Sequence, residues 1–93
     1  MSVQVRLPAS LAEAAGCERR LRLDIGAGTL ADALDEMVRR APALERRLRD
    51  EAGALRRYVN VYVDGSDVRR GQGLTTALDD GALVEVLASI AGG

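Results

Sequence analysis

The sequence predicts an α+β domain, a mixed sheet covered on one face by a single main helix. Val3, Val5 and Leu7, and later Leu21, Leu23 and Ile25, alternate with polar or charged residues, the period-two signature of half-buried strands. Leu30, Ala33, Leu34, Met37, Val38 and Ala41 recur at three- and four-residue steps and form one continuous apolar helical stripe. Leu83, Val84, Val86 and Leu87 flank the single charge of Glu85 and place apolar side chains on both faces of a strand, which suits the middle of a sheet.

Taken in order, the first strand is closed by Pro8, and Ala9 to Gly16, with Leu11, Ala12, Ala14 and Ala15, forms a short helical turn. Gly16 opens a turn that includes Cys17. Arg20 to Ile25 is the second strand, paired with the first as a hairpin joined by a loop. Gly26-Ala27-Gly28 breaks it, and Thr29 with Asp32 three residues on is a capping-box start for the main helix. Pro42 stops that helix and begins a second one to about Ala52, with Leu44 and Leu48 inward, Glu45–Arg49 and Arg46–Asp50 paired one turn apart, and Gly53 as its C-terminal cap. Leu55 to Val63 is the next strand, with Val59, Val61 and Val63 toward the core and Tyr58, Asn60 and Tyr62 away from it. Asp64-Gly65 is a hairpin signal with Ser66 to Arg69 returning. Gly71-Gln72-Gly73 is loop, Leu74 and Leu78 pin the following segment to the core, and Asp79-Asp80-Gly81 turns into the last strand, Ala82 to Leu87. With short right-handed connections, the last strand belongs in the middle, parallel beside the first. That is the β-grasp, or ubiquitin-like, arrangement: a domain over residues 1–87 and a tail over 88–93.

The bulk numbers restrict the function. At 93 residues, 47% hydrophobic and 29% charged, the chain has the composition of one globular domain with a modest core. Phe and Trp are absent, so the core is aliphatic. A net charge of -1 with interleaved signs argues against the clustered basic face of a nucleic-acid binder. The start of the chain alternates rather than forming a signal peptide, and no apolar run approaches membrane-spanning length, so the expected compartment is the cytoplasm. Histidine is absent, and no glycine pattern of a nucleotide-binding loop occurs; the chain carries little equipment for catalysis and is expected to bind neither metal nor cofactor. Cys17, the single cysteine, is either a thiol without a role or a redox or acyl-exchange group beside Arg19 and Arg20. All 13 basic residues are arginine, so no lysine amine could accept an acyl group on this chain.

Ala88-Ser89-Ile90-Ala91-Gly92-Gly93 carries no charged side chain and ends on two glycines. Without Cβ atoms, such an end can pass through a channel too narrow for any side chain. It reads either as an acyl group presented to other enzymes or as an unfolded terminus, expected to be mobile with low amide protection when free. Tyr58, Tyr62, Leu83 and Leu87 are expected together on the sheet face away from the helix. They form either a docking surface or a patch whose members cover one another.

Arg57-Tyr58-Val59-Asn60-Val61-Tyr62-Val63, Asp67-Val68-Arg69, Gly73-Leu74-Thr75-Thr76-Ala77 and Ile90-Ala91-Gly92-Gly93 carry a family resemblance. Through them the chain resembles the bacterial ubiquitin-like sulfur carriers (MoaD, ThiS and CysO), and most closely the cysteine-biosynthesis type. It departs at Ala88-Ser89, where the family often has one or two prolines. The resemblance implies that an E1-like adenylating and sulfurtransferase enzyme uses ATP to activate Gly93, and that a sulfur donor then leaves a thiocarboxylate there. Gly92 gives clearance, while Ile90 and Ala91 supply backbone for a partner to grip. The implied acceptor is a pyridoxal-phosphate-dependent cysteine synthase, with a metalloprotease releasing the product, or the molybdopterin synthase large subunit. The competing classes are a protein modifier joined through Gly93 to lysines, and a plain interaction domain with a passive tail.

Overall fold

Alternating aliphatic side chains build the sheet, and a computed structural model describes residues 1–26 and 28–88. Strand β1 (Ser2–Arg6) pairs antiparallel with β2 (Arg20–Asp24), Val3 opposite Leu23 and Val5 opposite Leu21. Between them lies α1 (Ala9–Ala15), ended by Gly16 at φ 66, where the Cys17 N–H reaches back to the Ala12 carbonyl at 3.0 Å. Glycine suits that left-handed cap because it has no Cβ to clash.

Thr29 and Asp32 close a capping box at the start of α2 (Leu30–Arg40), and Asp32 Oδ2 accepts the Thr29 N–H at 2.8 Å. Leu30, Ala33, Leu34 and Met37 turn from α2 into the core; Val38 is half-buried at its margin. Strands β4 (Val59–Val63), β5 (Ser66–Asp67) and β7 (Leu83–Ala88) complete the sheet in the order β2-β1-β7-β4-β5. β7 is parallel to β1 and antiparallel to β4, with Val84 opposite both Val5 and Val63, and Val86 opposite Val61. The last strand thus lies at the centre beside the first, as its sequence predicts. Every buried described residue is hydrophobic. Each fully buried Leu, Met or Val contributes roughly 1.5–3 kcal/mol of transfer free energy.

The structure differs from the sequence reading in several places. The second helix is a 3-10 turn at Pro42–Leu44 followed by α3 (Glu45–Leu48), and it does not continue to Ala52. Leu44 and Leu48 are buried as expected, but Asp50 Oδ1 accepts the N–H groups of Ala52 (2.9 Å) and Ala54 (3.0 Å). That side chain gives the backbone a non-helical partner, which ends the helix. It also removes Asp50 from Arg46, and places Gly53 (φ 86) inside the turn rather than on a helix end. The strand expected from Leu55 begins at Val59, because Arg56 bonds back to Leu48 and Val59 to Arg56; Leu55 keeps one bridge to Arg49.

Asp64 (φ 49) and Gly65 (φ 87) make the expected tight hairpin turn, but its return strand is only Ser66–Asp67. The Asp67 carboxylate then accepts the Arg69 N–H at 2.9 Å and turns the chain into a 3-10 helix, Val68–Arg70. Finally, β3 (Gly28–Thr29) and β6 (Ala77–Leu78) pair as a separate two-stranded sheet. Leu74 packs at the edge of the core and Leu78 inside it.

Candidate functional site

The β4–β7 register decides which side chains share a face. Val61 with Val86 and Val63 with Val84 point into the core, so Asn60 with Leu87 and Tyr62 with Glu85 point away from α2. Leu83 follows on the same outer side, two residues from Glu85. Tyr62 therefore lies diagonal to both Leu83 and Leu87, at roughly 7–8 Å across the strand pair. Tyr58 sits in the turn before β4. Leu87 (51% exposed) and Tyr58 (41%) are the exposed large hydrophobic residues among those described. Three of the four predicted docking residues thus share one face, with Tyr58 at its margin. The apolar pattern on both faces of β7 places Val84 and Val86 in the core and Leu83 and Leu87 on the outer face, as read from the sequence. Only the α2 side is buried, because no element of the described chain covers the other.

Polar side chains interleave with this patch, Glu85 lying between Leu83 and Leu87 opposite Tyr62, and Asn60 opposite Leu87. Arg69 Nη1 donates to Asn60 Oδ1 at 2.8 Å, and Arg6 Nη1 lies 3.8 Å from Glu85 Oε2. Arg6 also stands opposite Arg20 in the β1–β2 pair. These polar partners were invisible in the sequence, since they follow from strand register rather than from local spacing.

Ala88, expected as the first residue of the tail, is the last residue of β7, opposite Val59 and half-buried against the core. Ile90, Ala91, Gly92 and Gly93 lie outside the described residues, as does the expectation of a mobile terminus. The chain therefore reaches its final residues from the central strand, beside the apolar patch.

Residues 5–93 match the ThiS family. The chain belongs to that family. It is similar to the sulfur carrier protein CysO of Mycobacterium tuberculosis, with 34% identity over 95 residues and 100% of both chains covered. It is also similar to small archaeal modifier protein 1 of Haloferax volcanii, with 42% identity over 79 residues, 84% of this chain and 88% of the relative. A chain of the Amycolatopsis orientalis BexX/CysO complex superposes with a TM-score of 0.84 at 34% identity, covering 98% of this chain and 99% of that one. The fold is accordingly the ubiquitin-like β-grasp that the element order predicted.

In this ThiS-family chain, Cys17 lines an open groove of about 710 Å³ with Arg6, Leu7, Ala12, Arg19 and Arg20. Arg6, at the end of β1, stands opposite Glu85, so this lining residue lies at the same pole of the sheet as the end of β7. Arg19 Nε donates to the Leu7 carbonyl at 3.4 Å. Burial, and after it the charge of Glu18, pushes the Cys17 thiol above its ordinary pKa, so the sulfur is protonated at neutral pH. A protonated thiol is a poor nucleophile, which weighs against the acyl-exchange reading. Among the described residues no group of three or more His, Cys, Asp or Glu side chains could hold a metal ion, and no helix is long and apolar enough to cross a membrane.

Proposed function

We propose that the chain is a sulfur carrier: an E1-like, ATP-using enzyme adenylates Gly93, which becomes a thiocarboxylate that a biosynthetic enzyme consumes. The observation that supports this reading is full-length similarity to a sulfur carrier protein together with the Gly92-Gly93 end. A carboxylate is a poor electrophile. Adenylation turns one of its oxygens into part of a leaving group. A persulfide-type donor then displaces AMP to form an acyl disulfide. A second thiol of the activating enzyme attacks the donor's sulfur, breaks the S–S bond with formation of a disulfide, and releases the thiocarboxylate. The product holds a nucleophilic sulfur attached to protein rather than free in solution. Missing Cβ atoms at Gly92 and Gly93 let this end enter a narrow active site.

The open face of Tyr62, Leu83 and Leu87, with Tyr58 beside it, is the docking surface for these enzymes, and Ile90 and Ala91 are the segment they grip. The leading acceptor is a pyridoxal-phosphate-dependent cysteine synthase, with a metalloprotease regenerating the glycine end. The molybdopterin synthase large subunit is the alternative. The chain itself acts as a co-substrate and carries out no catalysis. A second reading, conjugation through Gly93 to lysines of target proteins, is favoured by the 42% identity to a small archaeal modifier protein.

The test is intact mass spectrometry after incubation with an E1-like enzyme, ATP and a sulfur donor. Exchange of one oxygen for sulfur is expected, and it should vanish when Gly92 and Gly93 are removed. Covalent adducts on other proteins would shift the assignment to the modifier. An unchanged mass with no pyrophosphate release would overturn both readings.

A further inference from the structure

Resting on the reading of the outer sheet face as a docking surface, we infer that its occupant is an acidic protein surface, that of the adenylating enzyme. Its carboxylates would meet a guanidinium cluster formed by Arg6, Arg20 and Arg22.

Strand register builds the cluster. Val3, Val5 and Leu23 point into the core, so Gln4, Arg6, Arg20 and Arg22 point to the outer side. Arg6 stands opposite Arg20, and Gln4 opposite Arg22. Side chains directly opposite have Cβ atoms about 5 Å apart, and like charges so placed repel one another. Little within the chain relieves them. Among the described residues, Arg6 meets Glu85 at 3.8 Å, while Arg20 makes no ion pair. Arg22 donates through Nε to Ser2 Oγ at 2.9 Å, a neutral acceptor. Asp24, the one carboxylate of β2, stands opposite Ser2 at the far end of the strand.

An open recess of about 230 Å³ lies among these side chains, and its lining of Gln4, Val5, Arg6, Arg20, Leu21 and Arg22 holds no carboxylate. The groove at Cys17 differs, because Glu13 and Glu18 line it together with Arg6, Arg19 and Arg20 and offset much of their charge. A guanidinium can grip a carboxylate through two parallel N–H bonds, so acidic side chains suit the recess. Gln4 also stands opposite Leu83 of β7, so the recess adjoins the apolar face of Leu83, Tyr62 and Leu87. A free anion would leave that face in water. A protein surface with acids beside an apolar side chain covers both. The adenylating enzyme is the partner in question because the carrier and modifier readings alike require it.

The test is the affinity of the full chain for the E1-like enzyme of the mass experiment, measured without ATP so that Gly93 chemistry does not enter. Arg20→Glu and Arg22→Glu are each expected to raise Kd at least about tenfold, because like charges then meet across the interface. Added salt should slow association of the natural sequence more than that of either variant. Arg47→Glu, exposed on α3 in the helix layer, makes the same change in net charge and is expected to leave Kd unchanged. Arg20→Glu should melt no lower than the natural sequence, since it sets an opposite charge against Arg6, so its weaker binding is not a loss of fold. An unchanged Kd in both outer-face variants, an equal loss in Arg47→Glu, or no binding by the natural sequence would overturn the inference. Binding lost on Arg20→Glu, with no adenylation of the natural sequence once ATP is added, would support it while removing the carrier reading.

Discussion

Gly28 shows how much one absent carbon decides. A Cβ there would fall on Asp32 Oδ2, the oxygen that accepts the Thr29 N–H at the start of α2. Gly28→Ala must push that carboxylate off the helix end, and is expected to cost about 1 kcal/mol, the usual value of an N-terminal cap. Asp32→Ala should cost a similar amount, and the double variant little more than either single change, since both remove the same bond. Urea denaturation of the three variants checks this; additive losses would assign Gly28 another role. Thr29 and Asp32 were legible in the sequence because a cap is local, three residues from end to end. The need for glycine at position 28 was not, because it depends on where the Asp32 side chain lies in space.

At the scale of elements, Arg49 fastens α2 to α3. Its guanidinium meets Asp35 Oδ1 at 2.9 Å and grips Glu45 through two bonds of 2.8 and 3.0 Å, with the side chain largely covered. Glu45 and then Asp35 raise the pKa of the guanidinium further above its ordinary value. Arg49→Ala is expected to lower stability by about 1 kcal/mol, the upper end for such pairs. Arg49→Lys should recover part of it, because a single ammonium cannot make the two-pronged contact. Thermal melts at low and high salt check the assignment, with the deficit shrinking as salt screens the pair. The Glu45–Arg49 bond was visible in the sequence as a one-turn spacing. Asp35 was not, since it joins residues of different helices. For the same reason the long apolar stripe of α2 was easily read, while β3 and β6 passed unnoticed: a two-residue strand has no period to detect. The second helix was overextended because Asp50 reads equally well as a helix-face charge and as the acceptor of a turn.

For the whole molecule, the two sides of β7 should separate stability from partnership. Leu87→Ser, on the open face, is expected to change stability by no more than about 0.5 kcal/mol, and Tyr62→Ala, half-buried on the same face, by about 1 kcal/mol. Val86→Ala, on the face against α2, should unfold at clearly lower denaturant. Sulfur transfer from the charged carrier is expected to fall for the two outer variants in spite of their intact folds; normal transfer by both would remove the docking role from that face. The sequence identified β7 as central through its apolar residues on both sides. It could not show that one side stays uncovered, because a pattern of side chains says what is apolar and not what lies above it.

The placement of β7 has a mechanical consequence. Its ladder bonds run across the strand to β1 on one side and β4 on the other. An enzyme that pulls on the C-terminal residues loads both ladders in shear, so that the bonds must break together rather than peel one by one. The scaffold can therefore be tugged by its end while a partner works on that end, and stay folded.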